Sequence, residues 1–223
     1  MSRRTRFDWL SSRNHSCGRS VTRKRSAAPF RRRLRIEPLE DRLLLTTVTT
    51  LVDGIGVPGT SLREAIADAT PGETIGFSVT GTINLTNLGQ LVVNKNLTIV
   101  GPGADLLAIN AFDPTPTMNN GDGSRVFLID DGNLSADKTI SISGLTLTGG
   151  DTTGGGAIFN SENLTLTSST ITGNAVMFGA GGVYSGNGTS LTIASSTIAN
   201  NVASLGGGIS TSGATLSITS STF

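Results

Sequence analysis

The residues of this chain that could do acid–base chemistry are concentrated between positions 113 and 131. Asp113, Asp122, Asp130 and Asp131 lie there, with Arg125 close to them in sequence. A pair of carboxylates can hydrolyse a glycosidic bond, and a positioned base can abstract a proton next to a uronate. Carboxylates are also ligands for a hard cation such as calcium. These four aspartates therefore form the candidate ligand site of the sequence.

The rest of the composition argues against an enzyme. The single histidine, His15, and the single cysteine, Cys17, both lie near the N-terminus. The rest of the chain therefore has no Ser–His or Cys–His pair, no disulfide and no Cys/His metal site. The segment 140–223 contains only Asp151 and Glu162 as acids, and no Lys or Arg. We therefore predict no catalytic residues and no cofactor. The favoured interpretation of residues 110–124 is a solvated insertion, and binding of calcium or a sugar is the alternative.

The segment 140–223 repeats one alternating pattern four times. The copies begin at Ile140, Leu164, Leu191 and Leu216, at nearly equal intervals. Apolar side chains occupy alternate positions in each copy, which is the periodicity of a β-strand. A repeat of this length indicates one unit stacked on copies of itself. The pattern predicts a β-solenoid with Leu, Ile and Val facing inward and Thr and Ser facing outward.

Two motifs recur within this repeat. The first motif is Gly-Gly followed by an apolar residue, and it places Gly156, Gly182 and Gly208 at an even spacing. The second motif is a large apolar residue followed three positions later by asparagine, and it recurs at Asn174 and Asn201. We expect the glycines at turns or where coils approach closely, and the asparagines in a stacked ladder of amide hydrogen bonds. Sugar binding by the Asn and Thr runs is the alternative. The paired motifs resemble those of the chlamydial polymorphic outer-membrane proteins, and this resemblance implies a bacterial β-helix surface protein.

One helix is predicted, over residues 61–69. Ser61 and Glu64 are spaced as a capping box, and Arg63 between them is expected to be solvated. The stretch from Thr60 to Ile66 resembles the N-terminal module named for the string Cys-Ser-Leu-Arg-Glu-Ala, with threonine in place of the cysteine. The resemblance implies that a right-handed parallel β-helix follows. A helix here would cover the open end of the first coil.

The N-terminal segment differs in charge from the rest of the chain. Residues 1–42 hold 13 of the 17 Lys and Arg and 4 of the 16 acids, a net charge of +9, whereas residues 43–223 carry −8. We predict a disordered basic leader or targeting segment over residues 1–45, with a nucleic-acid-binding arm as the less favoured alternative. Its end, from Arg35 to Leu45, resembles the N-terminal motif of large planctomycete extracellular proteins, which implies export.

The sequence thus predicts an all-β fold, a single right-handed parallel β-helix with a short N-terminal capping helix. The leader (1–45) is followed by a cap with irregular coils (46–139) and by regular coils (140–223). The last copy stops in mid-motif at Phe223, so we expect a truncated member of a longer family or an uncapped end that self-associates.

The predicted function is that of a non-enzymatic, adhesin-like or structural protein, located outside the cell or on its surface. We expect polysaccharide or protein partners, no nucleic acid and no transmembrane segment. A polysaccharide lyase or glycoside hydrolase of the β-helix type is the alternative, since many such enzymes share this fold and fold alone does not decide function. A non-functional truncated remnant is the other alternative.

Overall fold

A computed structural model describes residues 45–116, 119–133, 135–136 and 138–223. These residues form one short helix and many short strands. In chain order the elements are β1 (Leu45–Val48), α1 (Leu62–Asp68), β2 (Glu73–Phe77), β3 (Gly81–Asn84), β4 (Leu91–Val93), β5 (Leu97–Val100), β6 (Leu107–Asn110), β7 (Phe127–Ile129), β8 (Thr139–Ser143), β9 (Thr146–Thr148), β10 (Asp151–Thr152), β11 (Ile158–Asn160), β12 (Asn163–Thr167), β13 (Thr170–Thr172), β14 (Ala175–Val176), β15 (Val183–Ser185), β16 (Ser190–Ala194), β17 (Thr197–Ala199), β18 (Ile209–Thr211) and β19 (Thr215–Thr219). The predicted leader lies outside the described residues except for Leu45, which begins β1.

All strands except β10 and β14, which pair with each other, form three long sheets that run along the molecule, and successive coils add one strand at a time to each. The seven-stranded sheet has the order β1-β2-β5-β8-β12-β16-β19, and the two five-stranded sheets have the orders β18-β15-β11-β7-β4 and β17-β13-β9-β6-β3. Neighbouring strands in these sheets pair in parallel. The fold is a parallel β-solenoid, which confirms the predicted architecture, while right-handed winding stays a prediction.

The core is built from columns of apolar side chains, one from each coil. Strand pairing places Ile142 on Leu166 and Leu166 on Ile193, and all three are completely buried. The residues between them along each strand are only partly buried, because successive side chains of a strand point to opposite faces. Burying one Leu or Ile side chain contributes roughly 1.5–3 kcal/mol. The repeated columns therefore supply most of the stabilisation of the solenoid.

We expect Ile193→Asp to destabilise the protein by several kcal/mol, because a buried carboxylate without a partner is costly. Thr192→Asp places the same side chain on the outer face of the same strand, and we expect a change within about 1 kcal/mol. Urea unfolding of both variants measures the difference. Equal effects would contradict the inward and outward assignment.

The helix α1 covers the N-terminal end of the core, as predicted. Ser61 accepts a hydrogen bond from the Glu64 backbone N–H, and Glu64 accepts one from the backbone N–H of Ser61, which completes the capping box. Leu62 and Ile66 are buried in the same core cluster as the strands. Lys95, from the next coil, donates hydrogen bonds to three carbonyl oxygens at the C-terminal end of the helix. Both ends of this short helix therefore have partners for their free backbone groups.

The prediction that Arg63 is solvated is wrong. Its guanidinium forms a bidentate ion pair with Asp53, with N···O distances of 2.8 and 3.0 Å, and it also donates to the carbonyls of Gly89 and Gln90. Asp53 accepts two further hydrogen bonds from Thr86. Burial alone would raise the pKa of Asp53, but the hydrogen bonds from Arg63 and Thr86 outweigh it and lower this pKa. The pair ties the loop before α1 to the first complete coils.

The ion pair makes the N-terminal cap sensitive to acid. Because the pKa of Asp53 is lowered from its usual 3.8, its contribution to stability is present above that pH and disappears as the pH falls through the pKa of the folded protein. We expect Asp53→Asn to cost about 3 kcal/mol at neutral pH, since Arg63 loses its charged partner. The cost should shrink in acid, as the pH falls below 3.8 and through the lowered pKa of Asp53.

Thermal or urea unfolding at neutral and at acid pH measures this effect, and Asp68→Asn is the matched control. Asp68 is exposed at the end of the same helix, so its substitution should change stability by no more than about 0.5 kcal/mol at either pH. A cost of Asp53→Asn that is independent of pH would contradict the proposed role of the charge.

The asparagine ladder is present. The Asn174 amide Nδ2 donates to Oδ1 of Asn201 at 2.9 Å and to the carbonyl oxygen of Leu147 at 3.1 Å. Oδ1 of Asn174 accepts the backbone N–H of Gly150, at the equivalent corner one coil earlier. Asn174 is buried. The two asparagines therefore satisfy backbone groups of neighbouring coils, and the structure explains them without a ligand.

The equivalence predicted for the glycine pairs needs one correction. Strand β11 pairs with β15 through Ile158 and Val183, and β15 pairs with β18 through Val183 and Ile209. Gly182 and Gly208, each just before its strand, are therefore equivalent, but Gly156 corresponds to Gly181. A Cβ on Gly156 or on Gly182 would lie 2.3 Å from a carbonyl oxygen of the next coil. Close approach of coils, rather than a positive φ, requires glycine at both positions.

Candidate functional site

The acids of the predicted ligand site form two separate clusters, and each cluster includes an acid from the regular coils. Asp113 and Asp122 meet Asp151, whereas Asp130 and Asp131 meet Glu162. In each cluster the nearest carboxylate oxygens lie within 4.8 Å of one another. Either group has the donor atoms that a divalent cation such as calcium needs.

The first cluster fastens the loop before β7 to the solenoid. Asp151 is 2% exposed, and its two carboxylate oxygens accept the backbone N–H groups of Asn120 and Gly121 at 3.1 and 2.9 Å. The hydroxyl of Thr115 donates to the exposed carboxylate of Asp122. A cavity of about 360 Å³ opens beside this loop and is lined in part by Asp113 and Asp151. The backbone of the insertion is thus anchored to the solenoid through Asp151, while its described side chains between positions 112 and 124 stay at least partly exposed, and binding of calcium or a sugar there stays a prediction.

The second cluster lies at the corner that follows β7 and β11. Asp131 accepts the backbone N–H of Asn133 at 2.8 Å, and its Oδ2 lies 2.9 Å from the ammonium of Lys138. Glu162 is completely buried, and its Oε2 accepts the backbone N–H of Lys138 at 3.0 Å. Its other oxygen, Oε1, has no hydrogen-bond partner among the described residues.

The two central carboxyls of this cluster have opposite electrostatic surroundings. The hydrogen bond from Lys138, together with those from Asn133, holds the pKa of Asp131 well below its usual range. Burial raises the pKa of Glu162, and the negative charge of Asp131 raises it further. The backbone N–H groups of Lys138 and Asp131 favour the charged form of Glu162, but burial and the Asp131 carboxylate together outweigh them. The corner therefore stabilises one negative charge well and a second one poorly.

Arg125 does not join the acids. Its guanidinium lies 5.2 Å from the ring centroid of Phe159, and this ring stacks on Tyr184 with a centroid distance of 4.9 Å. Burial lowers the pKa of Arg125. Among the described residues, no ion pair joins Arg125 to a carboxylate. Its closeness to the aspartates in sequence therefore does not create a mixed acid–base site.

The geometry of the two clusters suits the binding of a loop or an ion better than the cleavage of a sugar. A general acid or base must reach within hydrogen-bond distance of its substrate, and Asp151 and Glu162 are buried beneath the surface. The sequence singles out Asp151 and Glu162, but nothing in it connects them to the four aspartates. Their position as the only acids in the regular coils was the available signal, because a charge inside a solenoid repeat needs a partner.

Comparisons with protein-family models, with curated proteins and with solved structures found no match for this chain. The class of the protein therefore follows from its fold, and it is a parallel β-solenoid built from one repeated coil. No helix in the described ranges is long and apolar enough to cross a membrane.

Proposed function

We propose that this chain is an exported, non-enzymatic surface or matrix protein that binds a neutral polysaccharide through the outer face of its seven-stranded sheet. The observation that carries this proposal is a row of short hydroxyl side chains on five consecutive strands of that sheet. Strand pairing aligns them in the order Thr98, Ser141, Thr165, Thr192 and Ser217.

The chemistry of this row favours an uncharged partner rich in hydroxyl groups. Each Ser or Thr hydroxyl can donate one hydrogen bond and accept two, as a sugar hydroxyl can. Neighbouring strands lie about 4.8 Å apart, so the sheet presents equivalent groups at a regular spacing. Many weak and equivalent contacts on one rigid surface add up to useful affinity.

Two sequence resemblances support an extracellular location. The stretch from Arg35 to Leu45, most of which lies outside the described residues, resembles the leader motif of planctomycete extracellular proteins. The repeat motifs resemble those of the chlamydial polymorphic outer-membrane proteins. A right-handed winding, as in those β-helix families, belongs to the same proposal.

A second copy of the chain is the other proposed partner, through the last coil. Leu216, Ile218 and Phe223 are 41%, 41% and 57% exposed, and they surround a cavity of about 740 Å³. Edge strands with exposed apolar neighbours pair readily with further strands. Sedimentation of the full chain at increasing concentration tests this self-association.

Co-sedimentation of the full chain with insoluble cellulose or chitin tests the polysaccharide proposal. We expect the wild type to bind at least one of these polymers, and the double variant Thr165→Lys/Thr192→Lys to bind at least about tenfold more weakly, because two bulky charges would interrupt the hydroxyl row. The matched control is Thr170→Lys/Thr197→Lys, a directly paired Thr–Thr couple on a five-stranded sheet, which should bind like the wild type.

Equal binding by the two double variants, at equal urea midpoints, would contradict the assignment of the binding face. Absence of binding to both polymers would contradict the proposed partner. Release of products from pectin, alginate or chondroitin would instead support the lyase or hydrolase alternative, in particular if Asp130→Asn/Asp131→Asn abolished it.

A further inference from the structure

Two acidic residues occupy the same position on neighbouring coils. Ile129 pairs with Asn160, and the Ser161 backbone N–H donates to the carbonyl of Ile129 at 2.8 Å. Continuing this register past the ends of both strands places Asp131 on Glu162. Parallel stacking thus brings two carboxylates together, and like charges in directly opposite positions destabilise a sheet.

The protein groups around this pair compensate only part of its charge. The ammonium of Lys138 contacts Asp131 Oδ2, and the side chain of Asp131 is only 6% exposed. Glu162 is completely buried, and its Oε1 has no hydrogen-bond partner among the described residues. Asp130 adds a third carboxylate within the same 4.8 Å. If all three carboxylates are ionised, they and the one ammonium sum to a charge of −2 among the described residues of this corner, which would be costly at a largely buried place.

We propose that Asp130, Asp131 and Glu162 bind one divalent hard cation of the calcium class. A calcium ion lies about 2.3–2.6 Å from each ligand oxygen, so oxygens up to about 5 Å apart can share one ion. The net charge of −2 matches a divalent cation. All three donors are carboxylate oxygens, which suit calcium rather than zinc or copper. The irregular mixture of buried and partly exposed ligands favours calcium over magnesium, because magnesium demands nearly ideal octahedral geometry.

The cation would join two coils across their corner. Asp130 and Asp131 follow β7, whereas Glu162 follows β11 in the next coil. An ion between them would replace a repulsion between coils with a shared ligand, and it would also give Oε1 of Glu162 a partner. Ion binding should therefore appear as a gain in the stability of the solenoid, independently of any polysaccharide partner.

The other acidic cluster does not share this feature. Both carboxylate oxygens of Asp151 already accept backbone N–H groups, and Asp122 lies exposed on the surface. A cation is not needed there to satisfy a buried oxygen. Asp122 therefore provides a matched control, since Asp122→Asn removes one carboxylate from an acidic cluster without touching the proposed ion.

The test uses the full chain after treatment with a chelator, at neutral pH and constant ionic strength. Calcium chloride is then titrated while the unfolding temperature is followed by circular dichroism and the heat of binding by calorimetry. We expect one calcium per chain and a saturable rise in unfolding temperature for the wild type. Magnesium should act at least about tenfold more weakly.

Glu162→Gln should weaken calcium binding at least tenfold and abolish most of the temperature rise, whereas Asp122→Asn should respond like the wild type. Without calcium, Glu162→Gln should be at least as stable as the wild type, because it removes a poorly compensated buried charge. If Glu162→Gln fails to fold, Asp130→Asn, at a partly exposed position, must show the same loss of calcium response.

Absence of both a binding heat and a temperature rise at millimolar calcium in the wild type would overturn the proposal. A full calcium response in Glu162→Gln, or its loss in Asp122→Asn, would also overturn the proposal, because the ion would then lie elsewhere.

Discussion

Parallel stacking of coils is the constraint on which the rest of this structure depends. Each residue lies about 4.8 Å from its equivalent in the next coil. Side chains at equivalent positions therefore contact each other along the solenoid. Apolar residues gain from this arrangement, as the column of Ile142, Leu166 and Ile193 shows. Asn174 and Asn201 gain as well, because an amide is both a donor and an acceptor. Carboxylates lose, because two of them repel each other.

This rule explains where the unusual residues lie. Charged side chains are rare in the regular coils, and Asp151 and Glu162 both meet groups from outside the repeat. The outer face of the seven-stranded sheet repeats small hydroxyl side chains, because these suit an exposed strand and do not repel their neighbours. The proposed polysaccharide contact uses this surface, which the repeat generates, whereas the proposed cation uses a corner where the repeat is broken. The polysaccharide proposal and the cation proposal are independent, so an experiment that contradicts one of them leaves the other intact.

Features that repeat could be predicted from the sequence, because in a solenoid the local pattern of one coil determines its contacts with the next. The regular period, the inward and outward alternation, the Asn174–Asn201 ladder and the capping box of Ser61 and Glu64 all follow from nearby residues or from copies of them. Strand β6 lies in the irregular coils before Ile140, where no repeated pattern marks its position.

Contacts across insertions were decided only by the tertiary structure. Asp131 and Glu162 lie farther apart along the chain than equivalent positions of the regular copies do, and the length of the intervening loop sets which acids meet. The tertiary structure alone also decided the contacts of Arg63 with Asp53, of Arg125 with Phe159 and of Gly156 with Gly181. Insertions of different length are absorbed between the strands, because the inward positions stay aligned from one copy to the next although the spacing of the copies differs. Sequence periodicity therefore determined the scaffold, whereas the insertions, folded back on it, decided which charges became neighbours.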